Sequence, residues 1–398
     1  MSDAATVAGA DADRTAGAAF WNATLVTAEG AVRGAVLVED GRIAEVRLDR
    51  GGAPGGAHAT DLGGDYLLAG VVDVHTDHLE KHIFPRAHVQ WDFAAAIMAH
   101  DAQMIGGGAT TVFDAICVGA SLKRPERREI LSPCLDALEA LAAAQMLRAD
   151  HRVHLRCEVS DPATPALVEQ NIDRPLVGLA SVMDHAPGDR QSPDVERYVR
   201  RMVGELGVDL AQAREMTAEL QARSARIAGE VRARVAASIR ARGLRLMSHD
   251  DATEAHVALA LSEGGGVSEF PTTLEAARAA RAAGMAVVAG APNFLRGGSQ
   301  SGNVAVRALL AEGLVDMLAS DYVPRSPLDA AFAIAEDPET PLDLHAALAL
   351  VSANPARAAG LADRGSVAPG LRADLIRVRR IAGRTHLREA WVAGRRVA

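Results

Sequence analysis

Val71-Val72-Asp73-Val74-His75-Thr76-Asp77-His78-Leu79-Glu80-Lys81-His82 begins as a short apolar run and ends in a dense group of imidazoles and charges. A buried strand that delivers such groups at its C-terminal end has the layout of an α/β-barrel active site. His75 and Asp77 lie two apart, so on a continuing strand both point to the same side and can serve one metal. The pair is a weak signal alone, and the rest of the chain decides its meaning.

Outward from this run, apolar strand patterns alternate with helical ones, as in βαβ units. The expected strands are Gly70–His75, Thr110–Asp114, Val153–Glu158, Val177–His185, Leu244–His249, Gly266–Phe270, Ala286–Gly290 and Asp316–Asp321. Helical stretches between them include Arg128–Leu147, Thr253–Ser262, Leu274–Ala283, Asn303–Glu312 and Leu342–Val351. Eight strands with intervening helices is the count of a (β/α)8 TIM-type barrel. The alternative is a doubly wound open sheet, but no GxGxxG follows any strand, which argues against a dinucleotide-binding version. Asp189 to Arg242 reads as a long, charged helical insertion, either a solvated face or a lid.

Both chain ends read as β structure. Trp21–Thr27, Gly34–Val38 and Ile43–Leu48 are strand-like, and Asp40-Gly41 is a strong hairpin signal. Gly51 to Gly56 is a Gly-rich loop, and Ala373–Val378 and Glu389–Val392 are strand-like near the C-terminus. The expected division is a disordered tail over 1–18 and a small β-sandwich domain from 19–69 and 362–398. The hydrolase barrel would occupy 70–361, with its insertion at 189–242.

The chain has 398 residues, 49% hydrophobic and 23% charged, with a formal net charge of -9. That acidity disfavours nonspecific nucleic-acid binding, so an anionic substrate would need local cations. Cys117, Cys134 and Cys157 are far apart with no CxxC, which implies no disulfide framework and suits a reducing cytoplasm. The Ala/Gly/Asp-rich start has no signal-peptide pattern, and no apolar run is long enough for a bilayer. Lysine occurs only at Lys81 and Lys123, leaving 42 − 2 = 40 arginines, so either lysine could mark a site that needs a compact ammonium.

Five of the eight strand candidates end in metal-ligand types: His75 with Asp77, Glu158, His185, His249 and Asp321. Each alone has a bland reading: a loop-capping His185, a Glu158 paired with Arg156, a helix-capping Asp321. Their coincidence at one end of the strands is what points to a metal. His, Asp and Glu without Cys suit zinc, with Mn or Fe as alternatives, as one or two ions. Two metals sharing Glu158 would lower the pKa of a water between them, and Asp321 is placed to orient that water and take its proton.

At this point the chain resembles the amidohydrolase superfamily over nearly its whole length. The resemblance rests on VDVHTDHLEKHIFPR (Val72–Arg86), HDAQMIGGGATTVFDA (His100–Ala115), SVMDHAPGDRQ (Ser181–Gln191) and SHDDAT (Ser248–Thr253). It rests also on SEFPTT (Ser268–Thr273), GAPNFLRGGSQSGN (Gly290–Asn303), LASDYVP (Leu318–Pro324) and NPARAAGL (Asn354–Leu361). These stretches look most like the diphosphatase branch of the carbon–phosphorus lyase pathway. That likeness implies a phosphorylated ribose methylphosphonate substrate, a 5-triphosphate cut to the 5-phosphate and pyrophosphate. Two departures stand out. The first motif is His75-x-Asp77 where the superfamily usually has His-x-His, and His185 and His249 fall one strand earlier than its usual pattern.

Lys81, His82 and Arg86 follow the first motif and could meet phosphate oxygens. Arg296-Gly297-Gly298-Ser299 joins a guanidinium to a backbone that can approach an anion. Lys123-Arg124 could be plain surface. Asp250 and Asp251 read as caps of the next helix, His78, His100 and His256 as structural histidines, and Asp114 and Glu269 as groups that orient a ligand. Rival functions are hydrolysis of a C–N bond by a cyclic amidase or deaminase, and a non-catalytic scaffold. No nucleic acid or membrane partner is expected, and a homodimer is compatible with barrels of this type.

Overall fold

The computed structural model describes residues 17–48, 59–86, 89–120, 126–299 and 301–398. Residues 1–16, the loop Gly51 to Gly56 and Lys123-Arg124 lie outside them. Val71–Thr76 is buried at every position and pairs in parallel with Ala109–Val118. The sheet continues in sequence order through Asp150–Glu158, Val177–Met183, Arg245–His249, Gly265–Glu269, Ala286–Gly290 and Met317–Ala319. A parallel bridge from Thr76 to Asp321 brings the last strand to the first at the C-terminal rim. All eight expected strands are present. Three end early: the fourth stops at Met183, the sixth at Glu269 and the eighth at Ala319, so His185, Phe270 and Asp321 sit on the loops just beyond.

Val72, Val74, Phe113, Leu179, Met247, Val267, Val288 and Met317 fill the barrel. Side chains alternate along a strand. Met247 inside therefore puts His249 inside, Val267 does the same for Glu269, and Phe113 inside turns Asp114 outward. The outer face is covered by helices, with Ile97, Leu131, Leu135, Leu138 and Ile239 packed on Leu155 and Val182. Each such side chain contributes about 1.5–3 kcal/mol on burial. The helix Phe93–Gly106, absent from the sequence reading, starts where the Asp92 carboxylate accepts from Ala95 N at 2.8 Å. The insertion forms the helices Val195–Leu206 and Leu210–Ala241. Gly207 ends the first at φ +67°, and Asp209 with Gln212 caps the second.

The strands Ala18–Thr27, Gly30–Glu39, Arg42–Leu48, Tyr66–Ala69, Leu375–Ile381, Arg384–Val392 and Arg395–Arg396 join in one mixed sheet, with Ala59–Asp61 beside the first. Asp40 (φ 49°) and Gly41 (φ 75°) make the hairpin, since both central positions of that turn need positive φ. Phe20 and Trp391, on strands that do not neighbour each other, pack with ring centroids 4.5 Å apart and planes tilted by 56°. The sheet thus folds over its own core as a sandwich. Its first strand starts at Ala18, inside the stretch expected as tail. No helix among the described residues is long and apolar enough to cross a membrane.

Candidate metal centre and substrate cleft

The pairing of the first strand is irregular between Asp73 and Thr76. Such an irregularity re-aims side chains, so Val74 packs in the barrel core while its neighbour His75 also faces inward. The His75 ring lies 5.2 Å from His154, 5.6 Å from His249 and 4.9 Å from Phe270. Its Nδ1 is 2.7 Å from Glu269 Oε1, and its Nε2 has no partner. Burial holds its pKa well below the usual imidazole value, so the ring is neutral.

His249 Nδ1 is 2.9 Å from Asp250 Oδ2, and its Nε2 is 3.8 Å from Glu269 Oε2. Burial disfavours a charged His249, but Asp250 and Glu269 outweigh it and raise its pKa. His185 Nδ1 is 2.8 Å from Glu158 Oε2, and its Nε2 is 3.8 Å from Asp250 Oδ2. Two convergent donor groups therefore share His249. They are His75/His249/Glu269 and His185/His249/Asp250, each with ligand atoms within 4.8 Å of one another.

Asp77 and Asp321 close the rim. Asp77 N donates to Asp321 O at 3.1 Å, and Asp321 N donates to His75 O at 3.0 Å. Burial pushes the Asp321 carboxyl up to about 7, helped by the like charge of Asp77. Burial would raise Asp77 as well, but Arg156, His75 and Lys81 win and hold it low. Arg156 Nη1 stands 3.6 Å from Asp77 Oδ2, so Arg156 serves Asp77, not Glu158. Asp250 (φ 57°), Phe270 (φ 56°) and Asp321 (φ 53°) follow the fifth, sixth and eighth strands with left-handed backbone. Each costs of order 1 kcal/mol or more, and such strain gathers at functional sites.

The donor set fits a divalent metal. His75 Nε2, Asp77 Oδ1, His249 Nε2 and Glu269 Oε2 are buried without hydrogen-bond partners. Unpaired buried polar atoms are costly unless something absent from the protein satisfies them. Mixed nitrogen and oxygen donors without sulfur suit zinc, manganese or iron.

All six residues expected as ligands lie at this mouth. Glu158 is largely engaged already: Ser160 Oγ and N donate to its Oε1 at 2.7 and 3.2 Å, and His185 holds its Oε2. Glu269 and Asp250 take donor positions that the sequence reading gave to other roles. The helix after the fifth strand is capped by Thr253, which accepts from His256 N at 3.2 Å. Asp251 instead accepts from Arg190 Nη1 and Ser248 Oγ, each at 2.7 Å. Arg190 also reaches His249 O at 3.2 Å, so the entry to the insertion is pinned to the centre.

Asp250 and Asp321 line a cleft that continues over Gln191, Phe270, Asn293, Ser299, Ser301, Asn303 and Tyr322. Two expected cations meet at its edge. Arg296 Nη1 donates to Tyr322 OH at 3.2 Å, and Lys81 Nζ donates to Tyr322 O at 3.1 Å. Arg197, in the insertion, donates to Ser301 O at 3.0 Å. A Cβ at Gly302 would lie 2.7 Å from that guanidinium. Arg86 is exposed, in a bridge with Val89. His82 turns toward His78 and His100, with ring centroids 5.1 and 5.9 Å away.

One expectation needs correction. Arg296 ends a helix, Ala291–Arg296, and Gly297 terminates it at φ 77°. Gly297 N donates to Phe294 O and Gly298 N to Asn293 O, each at 3.0 Å. Those amides are taken by the helix end, so at this loop Arg296 and Ser299 remain to meet an anion.

A barrel with a His/Asp/Glu centre at its C-terminal rim and an end-built β domain defines a class, and residues 66–397 match the model of the Amidohydrolase family. The chain belongs to that family, a family of hydrolases. It is 42% identical over 376 residues to the alpha-D-ribose 1-methylphosphonate 5-triphosphate diphosphatase of Escherichia coli (strain K12), a match covering 94% of this chain and 99% of that one. Among solved structures, N-acetylglucosamine-6-phosphate deacetylase from Pasteurella multocida shares the fold with a TM-score of 0.60 at 12% identity, over 96% of this chain and 99% of that one. A putative prolidase from Bifidobacterium longum matches with a TM-score of 0.61 at 19% identity, over 96% and 94%.

Proposed function

We propose that this chain hydrolyses alpha-D-ribose 1-methylphosphonate 5-triphosphate to the 5-phosphate and diphosphate, as a cytoplasmic enzyme of phosphonate breakdown. Full-length kinship to a diphosphatase supports the reaction. The observation in this chain that carries it is the meeting of Lys81 and Arg296 on Tyr322, one residue from Asp321. Two cations gathered on the residue after Asp321 support an anionic substrate in a protein whose net charge of -9 repels a triphosphate. We divide the chain into a β domain (19–69, 362–398) and the barrel (70–361).

His75, Asp77, His185, His249, Asp250, Glu269 and Asp321 would between them hold one or two metal ions, zinc by preference, with Glu158 behind His185. When bound, the metal supplies positive charge to the transferred phosphoryl group and lowers the pKa of water. Asp321 orients the attacking water and takes its proton. One phosphorus–oxygen bond forms to water and one anhydride bond breaks, its electron pair leaving with diphosphate. Arg296 can grip two phosphate oxygens at once, Lys81 adds a point charge, and Ser299 and Asn303 offer hydrogen bonds along the cleft. The test is a side-by-side assay of zinc-loaded and chelator-treated protein on the triphosphate and on a cyclic amide. Zinc-dependent cleavage of the triphosphate alone is expected; cleavage of the amide alone would overturn the proposal.

A further inference from the structure

The strand-end centre leaves another group of imidazoles unexplained. His78 and His82 stand one helical turn apart: His78 has helical dihedrals (φ -68°, ψ -24°) and begins Leu79–Ile83, on which His82 lies. Residues four apart share a helix face. His100 comes from the middle of Phe93–Gly106 and is 0% exposed. One ring nitrogen from each of the three lies within 4.8 Å of the other two.

The bonding of these rings shows what they lack. His100 Nε2 is 2.8 Å from Asp114 Oδ1. A carboxylate only accepts, so Nε2 carries the hydrogen and Nδ1 presents a bare lone pair. That Nδ1 has no partner, and neither do His78 Nδ1 and His82 Nε2. A carboxylate behind an imidazole whose other nitrogen is free is the arrangement that orients histidine ligands. Asp114 faces away from the barrel interior, so this group lies behind the wall that carries the strand-end centre.

We propose that His78, His82 and His100 form a separate site for a divalent transition metal, zinc by preference, completed by water. Zinc–nitrogen bonds of about 2.0–2.1 Å require the three nitrogens to draw closer, a movement within reach of side-chain rotation. An all-imidazole set selects zinc, copper or nickel over magnesium or calcium. The ion ties Leu79–Ile83 to Phe93–Gly106. The tied segment carries Lys81, which reaches Tyr322, and Glu80, which accepts from Arg127 Nη2 at 2.8 Å. The site thus holds the cleft's lysine in place from behind, and it does not rest on the proposed reaction.

Metal counting tests it. Metal-free protein reloaded with zinc should hold one more equivalent than His78→Gln or His82→Gln, both checked for folding by circular dichroism. His249→Asn should still bind cobalt in a nitrogen-rich site with visible absorption, and adding His82→Gln should abolish that band. Crystals of the unsubstituted protein soaked in zinc chloride need no variant: an anomalous peak is expected among the three rings. Equal zinc content in the parent and both glutamine variants, or a peak at the strand ends with none among these rings, would overturn the proposal.

Discussion

Two buried networks of histidine and carboxylate lie on opposite sides of the barrel wall, and they are finished to different degrees. Outside, His151 Nδ1 is 2.7 Å from Asp114 and its Nε2 is 3.3 Å from Asp101. Asp101 also accepts from Arg148 N and Ala149 N at 3.0 and 2.9 Å. Burial alone would neutralise His151, yet Asp114 and Asp101 push its pKa up to about 10, while the histidines hold Asp114 well below the usual carboxylate range. Inside, His75, Asp77, His249 and Glu269 each keep a buried atom without a partner. The same residue types thus serve two ends. Satisfied, as at His151, Asp114 and Asp101, they bond second strand, third strand and helix together; unsatisfied, they await a ligand.

The sharpest break of that contrast is at Asp321. Asp321→Asn should lower kcat by roughly two to four orders of magnitude, the scale of acid–base and orientation effects, with an unchanged melting temperature. A near-normal kcat would remove Asp321 from the chemistry. On the satisfied side the effect should reverse. Asp114→Ala leaves a buried imidazolium at His151 without its main partner and should cost about 3–5 kcal/mol in urea unfolding, so its main effect falls on stability.

Arg296→Ala should cost about 1.5–3 kcal/mol in kcat/KM on the triphosphate, as for a lost charged hydrogen bond. The loss should be smaller on a substrate with fewer phosphates, and Arg296→Lys should recover only part. Equal losses on both substrates would make Arg296 structural. The most gradual effect is a slope with pH. His151 holds its proton more tightly folded than unfolded, so its contribution is complete below pH about 6.5. It then declines by up to about 1.4 kcal/mol per pH unit and is gone above the folded value near 10. Asp114 works the other way, its contribution present above pH about 4 and lost in acid. Urea midpoints measured from pH 6 to 10 should fall for the parent and stay flatter for His151→Phe.

The barrel was legible because eight apolar runs alternate with helices, and the mouth because His75, Glu158, His249 and Asp321 fall at or just past strand ends. Which atoms converge there was not legible. Glu269 looked like an orienting group, but two-residue alternation from Val267 carries it inside. Asp250 looked like a helix cap, yet Thr253 caps and left-handed backbone at Asp250 turns its carboxylate toward His185 and His249. Arg296-Gly297-Gly298 looked like an anion loop, but a six-residue helix reaches Arg296 and uses the glycine amides at its end. Tyr322 carried no signal of its own. Its part follows from two side chains far away in sequence, Lys81 and Arg296, and only the fold brings them together.

The central claim is that water attacks a phosphoric anhydride at this cleft, and phosphorus NMR of the products in oxygen-18 water tests it most directly. The account predicts diphosphate and ribosyl methylphosphonate 5-phosphate in equal amounts, with one heavy oxygen in the 5-phosphate and none in the diphosphate. Stepwise release of orthophosphate, or a triphosphate left intact by zinc-loaded enzyme, would contradict it.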